Sequence, residues 1–281
     1  MIFGYLKGGL KWLRLYHPLQ SFYRISIFAF KNKKYRRLFL KYAGEGFTCN
    51  VCAAEYKKFV PHYPAPINNK AIQANQVIAG YGENIICPNC MSTARERLVI
   101  AFLSEDFFLD GKKILHLSPE KNIYSFLKTK AIVTTADLHP GYYKTIDKKI
   151  TKEDATHFSF DDDSFDIVIA NHILEHIPDD KGAMKEILRV MKPGAKAVLQ
   201  VPYSETLVYT IEELTLQNPA KQSELYGQKD HIRIYALTDY ISRLKAAGFS
   251  IEVLGKAELK RFLKFAIQPE EKLLKLSKPS T

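Results

Sequence analysis

Four cysteines stand in this chain of 281 residues, in two pairs: CNVC (Cys49, Cys52) and CPNC (Cys87, Cys90). A two-residue spacer lets one tight turn aim two thiolates at one ion, and two such turns complete a tetrahedral shell. Four thiolates leave no open coordination position, so the zinc that this pattern predicts is structural rather than catalytic. Two disulfides would need an oxidising compartment, and Lys7, Lys11 and Arg14 interrupt any N-terminal signal. A redox centre would need only one of the pairs. The 34 residues from 53 to 86 exceed ordinary zinc-ribbon spacing and leave room for a loop such as PHYPAPINN. A segment of this size has too little core to hold itself, so the metal would supply stability.

The other residues suited to chemistry fall where short apolar runs end. KILHLS closes on Ser118-Pro119-Glu120, AIVTTAD on Asp137, and FDIVIA on Asn171 and His172. Stepping along the chain, these runs alternate with helical patterns. MSTARERLVIAFL carries a capping box, Thr93 with Glu96, and sets Leu98, Phe102 and Leu103 on one face. PEKNIYSFLKTK, DDKGAMKEILRVMK (Met184, Ile187, Leu188 and Met191 inward) and LTDYISRLKAAGF read as helices; AVLQVP, SIEVLG and EKLLKLSK read as strands. The alternation predicts an α/β fold with a mostly parallel sheet and helices on both faces, whose ligands bind beyond the carboxyl ends of the strands. Asp137 lies 17 residues after Glu120, where an acidic side chain commonly grips ribose hydroxyls.

The stretch DATHFSFDDDSFDIVIANHILEHIPDDKGAMKEILRVMKPGAKAVLQVP resembles the later motifs of class I S-adenosylmethionine-dependent methyltransferases, of the small-molecule type found in quinone biosynthesis. DAT, SFDIV, LEHI and LRVMKPGA stand in that family's order, and the resemblance covers roughly residues 110–255. It implies a Rossmann-like seven-stranded methyltransferase fold. The whole chain also resembles a narrower bacterial group, in which a four-cysteine module precedes a methyltransferase domain with a Ser/Ala-Pro-Glu first turn. That group has a later motif like YGQKDHIRIY (residues 226–235), and its place in surface-polysaccharide gene neighbourhoods implies a glycan-linked acceptor.

The opening motif departs from the broad family. His116 stands at the usual acidic position, and Ser118 and Glu120 stand in place of glycines. Glycines let backbone approach a pyrophosphate, which S-adenosylmethionine does not have. Ser118 as N-cap and Pro119 at the first helical position would leave helix amides for the cofactor's carboxylate. Glu120 would then pair with its ammonium. The resemblance further implies that Asp137 holds the ribose, that Asp154 and Ala155 frame the adenine, and that Asn171 and His172 line the methyl-transfer face. His116 is expected to be a satisfied core histidine. Glu175 and His176 read as polar packing at a helix start, with His176 and His172 as alternative bases. In YGQKDHIRIY, His231 could take the acceptor's proton and Arg233 clamp an anionic acceptor, flanked by Asp230 and Tyr235. The bland alternative is a solvated loop.

The net charge is +11, and ten Lys or Arg with no acidic residue fall in residues 1–44. The expected organisation is a basic amphipathic helical arm (1–44), a zinc-ribbon-like four-cysteine module (45–92) and a methyltransferase domain (93–281). The arm suits an anionic membrane surface, a nucleic acid, or packing on the body. No run of 18 uncharged apolar residues exists, so the expected setting is cytoplasmic, with peripheral attachment through the arm. The leading function is methyl transfer to O or N of a small-molecule or glycan-linked acceptor. An RNA methyltransferase, and a non-catalytic binding protein with a degenerate fold, are the alternatives.

Overall fold

The computed structural model describes residues 16–280. Helix α1 (Tyr16–Phe39) leads into two small antiparallel ribbons. The first pairs β1 (Ala43–Thr48) with β2 (Glu55–Tyr56). The second pairs β3 (Val60–His62) with β4 (Gly82–Ile86), with helix α2 (Pro66–Ala74) between its strands. Asn32 and Arg36 of α1 donate to the carbonyl of Asn89. The basic residues before position 16 lie outside the described residues. Among the described residues, no helix is long and apolar enough to cross a membrane.

Helix α3 (Ala94–Asp106) starts at the expected capping box: Thr93 Oγ1 accepts from Glu96 N, and Glu96 accepts from Thr93 N at 2.9 Å. After it come β5 (Lys113–Leu117), α4 (Lys121–Leu127), β6 (Ile132–Asp137), β7 (Thr151–Lys152), β8 (Phe165–Ile169), α5 (Asp180–Val190) and β9 (Met191–Val198). Three short strands then form a separate sheet: β10 (Tyr203–Ser204), β11 (Ile211–Glu212) and β12 (Arg233–Ala236), with helix α6 (Pro219–Tyr226) in the insert. The chain ends through α7 (Leu237–Ala247), β13 (Ser250–Leu254), α8 (Lys256–Leu259) and β14 (Leu273–Ser277).

The main sheet has seven strands in the order β13-β14-β9-β8-β5-β6-β7. All pair in parallel except β14, which is antiparallel to both neighbours. Ile114 to Leu117 of β5 are all buried, as a parallel strand covered on both faces requires. On one face α5 presents Ala183, Met184, Ile187 and Val190 at helical spacing. Met191, expected on that helix, is instead the buried first residue of β9. Helix α7 closes the same face with Leu237, Tyr240 and Leu244, and ends at Gly248, where a Cβ would strike Leu188 at 2.7 Å. On the other face α3, α4 and the 3-10 segment Lys260–Phe265 share a second core. From β5 the chain moves to β6 on one side and then back to β8 on the other. This reversal opens a crevice at the carboxyl ends of β5 and β8.

Arg97 joins the cysteine ribbons to this sheet. Its guanidinium is fully buried and donates to the carbonyls of Ser92 (2.6 Å), Asn84 (3.0 Å), Ile85 (3.2 Å), Phe265 (2.6 Å) and Ala266 (2.7 Å). It also lies over the Phe59 ring, 4.7 Å from the centroid. Three separate chain segments thus share one cation. Truncating it leaves five buried carbonyls short of a donor. Arg97→Ala is expected to cost about 3 kcal/mol or more of stability. Urea unfolding checks this, and limited proteolysis should show new cleavage between residues 49 and 92.

Candidate functional site

At the strand reversal lies a cavity of about 770 Å³, lined by Leu117, Ser118, Asp137, Asp154, Ala155, His172 and His176 among others. Its size is within the ~300–1,000 Å³ of small-molecule sites. Ser118 Oγ donates to Asp137 Oδ2 at 2.5 Å, and Asp137 Oδ1 accepts from His139 N at 2.6 Å. The carboxylate is therefore fixed at the tip of β6 and half-buried. Asp154 accepts from Thr156 N (2.9 Å) and Thr156 Oγ1 (2.7 Å), contacts that hold its carboxyl below the usual range. Ala155 beside it forms wall. The expected cofactor residues Ser118, Asp137, Asp154 and Ala155 thus converge on one space.

The turn after β5 differs from expectation. Ser118 takes a left-handed conformation (φ 45°) and is not an N-cap; helix α4 starts only at Lys121, with Glu120 at the cap position. Leaving the strand with a sharp turn points Ser118 at Asp137 rather than along the helix. The amide of Asn122 is already engaged, donating to Glu96 Oε1 (3.3 Å). Glu120 and Asn171 are not part of the cavity lining. The Glu120 carboxylate is held by Arg95 Nε (3.1 Å), Asn171 Nδ2 (3.2 Å) and His116 Nε2 (3.4 Å). Burial alone would raise its pKa, but these partners hold it down to about 2. His116 is fully buried, with Nδ1 unpartnered, so it is only half satisfied.

A second, smaller cavity of about 200 Å³ adjoins the first, with His172 in both walls. His62, Ile72, Val77 and Tyr81 of the inter-cysteine segment line it, with Arg95, Pro202, Tyr226 and His231. Ile78 is tied to Tyr203 by two backbone hydrogen bonds, which seat this segment on the insert. The sequence gives no sign of this wall, because the contacts that seat it join Ile78 to Tyr203, 125 positions apart, and none of Arg95, whose partner Glu120 lies 25 positions on across a helix and a strand.

Between the two cavities His172, His176 and His231 surround Glu175. His172 Nδ1 lies 3.4 Å and His231 Nε2 3.8 Å from Glu175 Oε1, and the His176 and His231 rings are 4.7 Å apart. His172 itself is left-handed (φ 53°). Burial pushes His231 down to about 4, so it is a neutral imidazole at neutral pH. Glu175, expected to be plain helix-start packing, is fully buried at the centre of this group. Asp230 lines the first cavity, and its carbonyl lies 3.0 Å from His176 Nδ1.

Arg233 and Tyr235, expected to meet substrate, are buried instead. Arg233 donates to the carbonyls of Leu174 (2.8 Å), Ile177 (2.5 Å) and Pro178 (3.0 Å) and to Glu212 Oε2 (2.8 Å). Tyr235 donates to Asp180 Oδ2 at 2.7 Å. Strand β12 is the middle of its small sheet, so these side chains enter the core and fix the turn that carries Glu175 and His176.

The four cysteines come together at the other side of the junction. Sγ atoms of Cys49 and Cys90 are 3.6 Å apart and those of Cys52 and Cys87 3.8 Å, with all four within 4.8 Å. Metal–sulfur bonds of ~2.3 Å to a central ion give tetrahedral edges of about 3.8 Å. A disulfide would need ~2.05 Å. The two loops are alike: Ala53 N donates to Cys49 O and Met91 N to Cys87 O, with Ala53 and Met91 both left-handed. Asn89 Nδ2 donates to Cys52 Sγ at 3.3 Å, and Ser92 Oγ lies 3.2 Å from Cys49 Sγ.

Residues 120–199 match the model of the methyltransferase domain family. A 99-residue stretch, 32% of this chain, is 30% identical to a demethylmenaquinone methyltransferase of Clavibacter sepedonicus, and the match spans 40% of that relative's length. Among solved structures, this chain is similar to one from the complex of the Haloferax volcanii Trm112 methyltransferase activator with a methyltransferase (TM-score 0.49, 15% identity, 66% of this chain and 89% of that one). It is also similar to an S-adenosylmethionine-dependent methyltransferase from Mesorhizobium loti (TM-score 0.45, 15% identity, 63% and 96%).

The buried position of Arg233 gives a separable expectation. A lysine offers one compact ammonium where three carbonyls and a carboxylate now share a planar fork. Arg233→Lys is expected to cost about 2–3 kcal/mol in urea unfolding. A clamp on substrate would instead leave stability unchanged.

Proposed function

We propose that this chain, which carries a class I S-adenosylmethionine-dependent methyltransferase domain, transfers a methyl group from that cofactor to an oxygen or nitrogen of a small-molecule or glycan-linked acceptor. The observation that carries this reading is the fixed Asp137 carboxylate at the tip of β6, inside the cavity at the strand reversal. There it suits the two ribose hydroxyls. Asp154 and Ala155 suit the adenine end, and Ser118 borders the methionine end. Glu120 holds Asn171 and the turn in place from behind rather than meeting the cofactor's ammonium. The sulfonium methyl group brings the reactivity. The chain's task is alignment and exclusion of water, with His172 at the cavity wall able to receive a proton from the acceptor.

The adjoining 200 Å³ cavity favours a small acceptor or a single sugar of a glycan over a structured RNA. The four cysteines suit a structural zinc ion, since all four donors are spent on one tetrahedron. Helix α1 and the turn after it, with Phe30, Leu38 and Leu40 exposed among Lys33, Lys34 and Arg37, suit contact with an anionic lipid surface.

Calorimetry with S-adenosylmethionine tests the main reading. Micromolar binding is expected for the natural chain, weakened tenfold or more in Asp137→Ala, about 1.4 kcal/mol or above. A folded protein that binds no cofactor at these concentrations would favour a binding protein that has lost the chemistry. For the cysteine site, elemental analysis should find one zinc per chain. Exhaustive chelation or Cys90→Ser should lower the melting temperature and expose residues 49–92 to protease.

A further inference from the structure

The group between the two cavities has a composition that cofactor binding leaves unused. Glu175 is fully buried, and neither of its carboxylate oxygens has a hydrogen-bond partner. His231 is also buried, with Nδ1 unpartnered. One ligand atom each from Glu175, His176 and His231 lie within 4.8 Å of one another. A buried carboxylate with no donor is costly, and such groups are normally paired or metal-bound. The approaches of His172 and His231 to Glu175 are ring nitrogens near an oxygen without hydrogen-bond geometry. Lone-pair donors gathered around a gap have this form.

The supporting residues fit the same picture. His176 Nδ1 lies 3.0 Å from the Asp230 carbonyl oxygen, which places its proton there and leaves Nε2 as a free lone pair. Histidine ligands are commonly oriented by a backbone carbonyl in this way. Arg233 fixes the Leu174, Ile177 and Pro178 carbonyls on either side of the ligand pair, so the turn is rigid. The residues stand in sequence as His172-x-x-Glu175-His176, followed 55 positions later by His231.

We propose that Glu175, His176 and His231 bind a divalent transition-metal ion, held by two imidazoles and one carboxylate with positions left open toward the cavities. Imidazole with carboxylate suits ions such as Mn2+, Fe2+, Co2+ or Zn2+. His172 lies against the carboxylate and is a positioning residue. The open positions face the boundary between the two cavities, where an acceptor with two adjacent oxygen atoms, such as a vicinal diol, would bind the ion and lose a hydroxyl proton more readily. That role rests on the methyltransferase reading; the metal site itself does not.

The test is calorimetric and spin-resonance titration of the full, zinc-loaded chain with Mn2+, an ion that thiolates bind poorly. One Mn2+ per chain at micromolar affinity is expected. Glu175→Gln and His231→Gln should each weaken it tenfold or more while the zinc content stays at one. His176→Ala, at a half-exposed position, keeps the test open if a buried variant does not fold. Cofactor calorimetry on the same samples separates the two claims. Mn2+ binding without S-adenosylmethionine binding would sustain the metal site and remove its methyl-transfer role. A folded natural chain that binds cofactor but no Mn2+, or variants that bind Mn2+ as the natural chain does, would overturn the proposal.

Discussion

The buried guanidinium of Arg97 is the joint on which the rest of the molecule turns. A single cation satisfies carbonyls from the cysteine module, the chain before α3 and the C-terminal segment at Phe265 and Ala266. Burying an unpaired charge would be prohibitive. Here five backbone carbonyls accept from it, with the cysteine cluster nearby. The module therefore docks in one orientation, and the second cavity can have walls from both bodies. Arg233 repeats the device on the other side of the site. It spends a cation on three carbonyls of one turn so that Glu175 and His176 stay in place.

Local patterns carried most of the fold. The Thr93–Glu96 cap involves neighbours three residues apart, and alternating apolar runs needed no partner to be recognised. The C-x-x-C pairs were legible for the same reason, since each turn is local and chemistry forces the two turns together. The position of Asp137 at the cavity was legible because a strand end in a parallel sheet has a fixed relation to the crevice.

The misreadings share a cause. Ser118 has the right residue type for a helix cap, and Pro119 the right type for a first helical position, but the left-handed turn at Ser118 delays the helix to Lys121. Arg233 and Tyr235 looked like a polar recognition loop, because their partners Glu212 and Asp180 are 21 and 55 residues away. Glu175 looked bland for the same reason, since His231 lies 56 positions further on. Polar side chains in sequence carry no mark of whether they will be paired in the core or left facing a ligand.

The segment between the cysteine pairs has one further meaning. It leaves one knuckle turn at Ala53 and returns through β4 to the other at Cys87, and in between it covers the second cavity with His62, Ile72, Val77 and Tyr81. Both ends are anchored by the cysteine turns, while its middle rests on the insert, through Ile78 on Tyr203 and Lys70 on Glu224, and Gln268 donates to the carbonyl of Tyr81. Residues can therefore be added, removed or exchanged within the excursion without moving the knuckles or the cavity at the strand reversal. A single scaffold can in this way keep the cavity at the strand reversal and diversify the adjoining one by changing loop length alone.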